Sequence, residues 1–254
     1  MAGPRIRLIT RGDGSGMCHS ANTAVLEAFE KGILRNTSMM VPCPAFDEAA
    51  EMYRDLDGLC LGLHATLNAE WDLVKWGPVL PPDEVPSLVD EHGHLPQTTQ
   101  ALHERGVVPA EMMAEIQAQL DLARSKGLDI AYVDTHMGFT WVDEMADRMA
   151  AFAEREGLIY RHPVGRLPDA EGEFADPAER LIARLDAADP GTYLFVTHPG
   201  HDDEEMRRFG HPGLAPGQVA REREWDRRVF TDRRIVEYCA ANGVEPVRWT
   251  DVAG

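Results

Sequence analysis

Apolar stretches rich in β-branched residues alternate with amphipathic stretches along nearly the whole chain. The apolar stretches predict seven strands, at residues 5–11, 36–41, 59–64, 130–135, 158–161, 193–198 and 245–249. The amphipathic stretches predict helices, at residues 20–30, 44–54, 109–126, 142–156, 176–187 and 221–241. Strands and helices that alternate in this way are typical of a parallel sheet joined by right-handed crossovers.

This alternation predicts an α/β fold, namely a distorted, roughly seven-stranded parallel (β/α) barrel that is TIM-barrel-like. About seven units can be counted, fewer than the eight of a regular barrel, so an open doubly wound sheet is the alternative. The length of 254 residues suits a single domain over residues 1–254. Two segments, 70–105 and 199–217, interrupt the alternation, and loops of such length in a compact domain usually serve function.

The composition limits the partners that the chain can have. A formal net charge of −18 repels phosphate backbones and anionic lipid, which argues against nucleic acid and membranes. No stretch is long and apolar enough to span a membrane, and the amino terminus does not resemble a signal peptide. The four cysteines are scattered without metal-binding spacing, which is typical of reduced thiols. These features predict a cytoplasmic protein.

Residues capable of chemistry stand where several predicted strands end. Asp13 ends the first strand, His64 the third, Asp134 and His136 the fourth, and His198 the sixth. The carboxyl ends of parallel barrel strands open on one face, so these side chains are expected to converge. Imidazole nitrogens with carboxylate oxygens suit a divalent metal such as zinc. The GxSxG pattern of a serine hydrolase is absent from the sequence.

Several segments resemble motifs of one known family. They are residues 8–13 followed by 20–22, residues 31–41, 61–68, 85–90, 133–136 and 197–200. In their order and spacing these segments resemble the YdjC-like carbohydrate deacetylases, also called the ChbG/HpnK group. The resemblance covers nearly the whole chain and implies a barrel-like fold.

The resemblance also implies an activity, which is hydrolysis of the amide of an N-acetylated sugar with release of acetate. Carried over residue by residue, Asp13 matches the general base, and His64 and His136 match ligands of a divalent metal, with Zn²⁺ or Mg²⁺ as the expected ion. His198 matches a late histidine expected to serve as general acid. The expected partner is a small-molecule N-acetylated sugar, and the resemblance suggests a homodimer.

The chain departs from the family pattern at Gly14, where the second aspartate of an Asp-Asp pair is expected as a metal ligand. Three explanations stay open. Asp13 itself binds the metal, or a nearby residue such as His19 or Asp134 completes the shell, or the metal site is weakened. The corresponding alternative functions are a degenerate binding or regulatory protein on the same barrel and an amide or ester hydrolase that acts on a non-sugar substrate.

Overall fold

The computed structural model describes residues 5–160 and 163–252, which contain seven strands in one sheet. The strands are β1 (Ile6–Ser15), β2 (Asn36–Met39), β3 (Cys60–Ala65), β4 (Ile130–Thr135), β5 (Gly165–Arg166), β6 (Gly191–Thr197) and β7 (Val244–Val247). All the strand pairs are parallel, in the order β4-β3-β2-β1-β6-β5, with β7 beside the first half of β1. Consecutive strands stand side by side from β1 to β4, and β6 flanks the other edge of β1. The sheet therefore curls into an incomplete barrel, which confirms the predicted fold class.

Eight helices accompany these strands in the described residues. They are α1 (His19–Lys31), α2 (Phe46–Tyr53), α3 (Thr99–Glu104), α4 (Pro109–Ser125), α5 (Met145–Glu156), α6 (Pro177–Asp186), α7 (Gln218–Thr231) and α8 (Arg233–Ala241). The start of α6 follows from its sequence, because the Asp176 carboxylate accepts hydrogen bonds from two free backbone N–H groups and Pro177 needs none. Every described helix is too short or too polar to cross a membrane.

Two predicted elements differ from the structure. The single helix predicted over residues 221–241 is wrong, because the chain forms α7 and α8 with a break at Asp232. There ψ is 124°, and the Asp232 side chain accepts a hydrogen bond from the Arg234 N–H as the cap of α8. The strand predicted at residues 158–161 is reduced to one bridge between Ile159 and Tyr132, and Arg161 lies outside the described residues. Strand β5 and helix α3 were not predicted.

The segment between β3 and α3 is a long loop held in place by two buried side chains of α4. Gln119 donates to the Thr66 carbonyl and accepts from the Thr66 N–H. Glu115 accepts hydrogen bonds from the backbone N–H groups of Val79 and Leu80. Burial raises the pKa of Glu115, although these donors partly oppose it. Buried polar groups must be satisfied, so these bonds fix the path of the loop against the barrel.

Candidate metal centre

The strand ends bring four of the five residues singled out by the sequence to one cavity; Asp134 is not among its lining residues. This cavity has a volume of ≈ 380 Å³ and is lined in part by Asp13, His64, His136 and His198. Asp13, His64 and His136 are buried, with exposed fractions of 4%, 5% and 8%. The parallel strands thus place residues that are distant in sequence on one face, as expected for a barrel.

His64 and His136 face each other across this cavity. The distance between His64 Nε2 and His136 Nδ1 is 3.3 Å. The outer nitrogen of each ring meets a carboxylate, since His64 Nδ1 lies 2.5 Å from Asp134 Oδ1 and His136 Nε2 lies 2.8 Å from Glu70 Oε2. A carboxylate that accepts the outer N–H of a histidine fixes its tautomer and turns the inner lone pair toward a metal position. Both rings have this support.

The pairing with Asp134 follows from strand register. His64 and Asp134 are direct partners on neighbouring strands β3 and β4. Burial would lower the pKa of His64, but the Asp134 and Asp13 carboxylates outweigh it and the pKa is raised. For Glu70, burial would raise the pKa, but His136 outweighs burial and the pKa is lowered. Glu70 therefore stays ionised beside His136.

Arg11 links the carboxylates on the other side of the cavity. Its Nε and Nη2 lie 2.8 Å from Asp13 Oδ1 and Oδ2, and its Nη1 lies 2.5 Å from Asp134 Oδ2. Burial would raise the pKa of Asp13, but Arg11 and then His64 outweigh it, so the pKa is lowered. Asp13 is consequently an ionised carboxylate that is already neutralised by a guanidinium.

The donor set is suitable for a divalent ion. Potential ligand atoms of Asp13, His64 and Asp134 all lie within 4.8 Å of one another. Asp13 Oδ1 is buried without a well-aligned hydrogen bond, although Arg11 Nε is close to it. In contrast, both oxygens of Asp134 have partners, His64 on one side and Arg11 on the other. Asp13 is therefore better placed than Asp134 to offer a free lone pair beside His64.

Gly14 follows Asp13 in a left-handed conformation, with φ at 100°. A Cβ built at this position would meet no atom within 4 Å, and Gly14 lines the cavity. The space for a side chain therefore exists, while the backbone conformation favours glycine. His19, one of the residues considered as a replacement ligand, is 60% exposed and pairs with Glu48. It does not line the cavity.

His198 stands at the mouth of the same cavity, just after β6, and is 47% exposed. Its backbone N–H donates to Asp226 Oδ2 at 2.8 Å, and its ring Nδ1 lies 3.9 Å from the same oxygen. Burial raises the pKa of Asp226 to about 6. Above that pH the Asp226 carboxylate is ionised and lies beside the His198 ring, where it can orient a general acid.

Three charged residues of the cavity, Glu70, Arg223 and Arg11, were missed by the sequence reasoning. Glu70 lies at the start of the first interrupting segment, and Arg223 lies on α7, so neither follows a strand. Arg11 precedes Asp13 by two positions on β1, and alternation along a strand places residues i and i+2 on the same face. That spacing was the one available signal, and it applied only to Arg11.

A second cavity of ≈ 520 Å³ adjoins the first and shares Glu70, Trp71, Met137 and Arg223 with it. The Trp71 and His211 rings are stacked there, with centroids 6.5 Å apart and planes 17° from parallel. Trp71 thus forms part of the wall of both cavities. Met137 follows His136 with φ at 54°, a strained conformation for a non-glycine residue that turns the chain at the cavity wall.

The fold and the clustered histidines and carboxylates define an α/β-barrel enzyme with its centre at the carboxyl ends of the strands. Comparison with known proteins gives the family, because the family model described as YdjC-like protein matches residues 7–241. The chain belongs to the YdjC-like family. The predicted family and the prediction of an enzyme are therefore confirmed.

Curated relatives cover almost the whole chain. A carbohydrate deacetylase of Thermoanaerobacter pseudethanolicus is 26% identical, over 93% of this chain and 95% of its own. A carbohydrate deacetylase of Geobacillus stearothermophilus is 27% identical, over 96% of each chain. In fold, the chain is similar to a crystal structure from Enterococcus faecalis V583, described as a candidate cellobiose-phosphate cleavage protein. The TM-score is 0.81 at 20% identity, with full coverage of both chains.

Proposed function

We propose that this chain is a divalent-metal-dependent hydrolase that removes the acetyl group from an N-acetylated sugar. The names of the curated relatives support the carbohydrate substrate and the deacetylation. The observation that supports metal binding is the 3.3 Å distance between His64 Nε2 and His136 Nδ1. Two nitrogens bound to one tetrahedral ion at about 2.1 Å are about 3.4 Å apart. The histidine pair therefore has the spacing of a chelate.

In this proposal His64 and His136 hold the ion, and Zn²⁺ or Mg²⁺ is the expected ion. Imidazole ligands suit zinc, whereas magnesium prefers oxygen ligands and retains water. Asp134 and Glu70 orient the two rings through their outer nitrogens. A bound divalent ion would act as a Lewis acid toward the acetyl carbonyl oxygen.

Asp13 and His198 carry the proton transfers in the proposal. Asp13 accepts the proton of the attacking water, and His198 donates a proton to the amine of the departing sugar. The pairing of Asp13 with Arg11 lowers the pKa of Asp13, which makes it a weaker proton acceptor. With Gly14 supplying no ligand, we expect slow turnover.

The test is acetate release after chelator treatment and reconstitution with Zn²⁺, Co²⁺ or Mg²⁺. The substrates are N-acetylglucosamine, its oligomers and an N-acetylated amine without a sugar. We expect metal-dependent acetate release from the sugars only. Release from the non-sugar amide at an equal rate would support a different amide hydrolase, and no release with any of these ions would contradict the proposal.

A second candidate function is sugar binding without catalysis, and the observation that favours it is Gly14. Catalytic zinc sites usually have three protein ligands, and this chain lacks a carboxylate where the family pattern expects one. Calorimetric titration with N-acetylglucosamine oligomers distinguishes the two functions. Tight sugar binding with no acetate release under any metal condition would favour the binding protein.

A further inference from the structure

Arg11 places a permanent positive charge inside the candidate metal centre. The guanidinium contacts both oxygens of Asp13 at 2.8 Å and one oxygen of Asp134 at 2.5 Å. Its side chain is 12% exposed, so solvent screens these contacts only weakly. A guanidinium stays charged at every pH at which the protein is folded.

The carboxylates that Arg11 neutralises belong to the same cluster as the metal-binding candidates. Asp13 and Asp134 form, with His64, the group of potential ligands within 4.8 Å of one another. A divalent ion in this cavity would share these carboxylates with the guanidinium and would be repelled by it. Charge repulsion in a buried site is stronger than in water.

We propose that Arg11 is a resident cation that competes with a divalent ion for the Asp13–Asp134 carboxylates and so keeps metal binding weak in this chain. The inference rests on the proposed metal-dependent function and explains how its occupancy is limited. It gives a second reason for weak metal binding: Gly14 supplies no carboxylate, and the two carboxylates that are present share the positive charge of Arg11. A divalent ion then occupies the centre only at a higher metal concentration than a site without Arg11 would need.

Calorimetric titration of the full chain with Zn²⁺, and with Co²⁺ as a spectroscopic probe, tests this competition. Arg11→Gln removes the charge and retains a hydrogen-bond donor, and we expect it to bind Zn²⁺ about 10- to 100-fold more tightly than the unchanged chain, the range over which outer-shell changes act. Arg11→Lys retains the charge and loses the two-pronged contact. If charge competition limits binding, Arg11→Lys stays as weak as the unchanged chain.

The opposite role for Arg11 gives the opposite result. If Arg11 instead positions Asp13 as a ligand, Arg11→Gln and Arg11→Lys both bind Zn²⁺ more weakly, which would overturn the proposal. Arg7→Gln, on the same strand and bonded to the Asp251 carbonyl outside the cavity, is the matched control and should leave affinity unchanged.

Removing Arg11 leaves the buried Asp13 and the partly buried Asp134 carboxylates without their cation, so a folding defect in Arg11→Gln must be separated from an effect on binding. The double variant Arg11→Gln/Asp134→Asn removes one charge of each sign, and the amide oxygen still accepts from His64. Relative to Asp134→Asn alone, tighter Zn²⁺ binding and a larger metal-induced rise in Tm for the double variant support competition, and an unchanged or weaker response contradicts it. Replacing His64 and His136 by alanine tests the proposed metal site separately. If these replacements abolish Zn²⁺ binding while the Arg11 variants bind no more tightly than the unchanged chain, competition is wrong and the proposed metal site stands.

Discussion

The two sides of the candidate metal centre differ in how many potential metal ligands they offer. On the β3–β4 side, His64 and His136 each have a carboxylate on the outer nitrogen, and their inner nitrogens face each other at 3.3 Å. On the β1 side, Gly14 offers no ligand and Arg11 neutralises Asp13. In the proposal the first side supplies the nitrogen ligands that locate an ion, whereas the second side limits how tightly that ion is held. A site can therefore keep its location while its affinity changes.

The largest expected effect concerns His198, which tests whether the altered side still takes part in catalysis. We expect His198→Asn to lower kcat by about 10²–10⁴-fold, the usual contribution of a general acid. The matched control is His201→Asn, three residues later, which does not line the cavity. Equal rates for the two variants would show that His198 is not the proton donor.

Gly14→Asp is the direct repair of the altered side, because the space is open and the position lines the cavity. We expect kcat/KM to rise by on the order of 100-fold in Zn²⁺, as a third ligand completes the shell. Gly14→Asn is the control, since it imposes the same backbone strain at φ 100° without the charge. A gain shared by both variants would point to the backbone rather than to a ligand.

Glu70→Gln weakens the intact side. The amide can still contact His136 Nε2, but without the charge that increases the basicity of the ring, so we expect Zn²⁺ affinity to fall about 10- to 100-fold. Calorimetry measures the change, and Glu91→Gln in an exposed turn is the control. If affinity is unchanged, Glu70 is not the orienting partner of His136.

The smallest effect concerns Asp226 and depends on pH. Its pKa is raised by burial to about 6, so the folded protein holds this proton more tightly than the unfolded chain does. The contribution of Asp226 to stability is full below about pH 4 and is lost as the pH rises through 6, at a cost of about 3 kcal/mol. Asp226→Asn should therefore raise the free energy of unfolding at pH 8 by up to about 3 kcal/mol and change it little at pH 4.

The same substitution should affect catalysis in the opposite direction. In the unchanged chain we expect activity to fall as Asp226 becomes protonated below about pH 6. Asp226→Asn should lower the rate at pH 8 and remove this pH dependence. Asp121→Asn, exposed on α4, is the control for both denaturant unfolding and the pH profile. A variant that is less stable at pH 8 would contradict the assigned cost of burying Asp226.

The fold was predictable because its signals are local. Strand β4 begins and ends where predicted, at Ile130–Thr135, since an apolar run leads directly to polar residues at the strand end. The break between α7 and α8 was not predictable. Asp232 stands in an otherwise helical pattern and ends the helix through one capping bond, which it accepts from the Arg234 N–H. Such a bond competes with helix propensity, and composition does not reveal which prevails.

The sequence predicted the site residues that follow strands, but it did not predict those that lie on loops and helices. His64 and His136 were found because parallel strands bring their ends together. Glu70 is separated from its partner His136 by 66 positions, within a loop whose path depends on the contacts of Gln119 and Glu115 with its backbone. Arg11 was in the motif, but its link to Asp134 depends on tertiary packing. The predicted homodimer and cytoplasmic location stay predictions.

The central claim is that a divalent ion binds between His64 and His136. A crystal of the full chain grown with Zn²⁺, with anomalous diffraction measured on both sides of the zinc edge, tests it directly. The account predicts one zinc peak within bonding distance of His64 Nε2 and His136 Nδ1, which is lost in His136→Ala. A peak elsewhere at saturating Zn²⁺, or none at all with the His64–His136 contact intact, would contradict it.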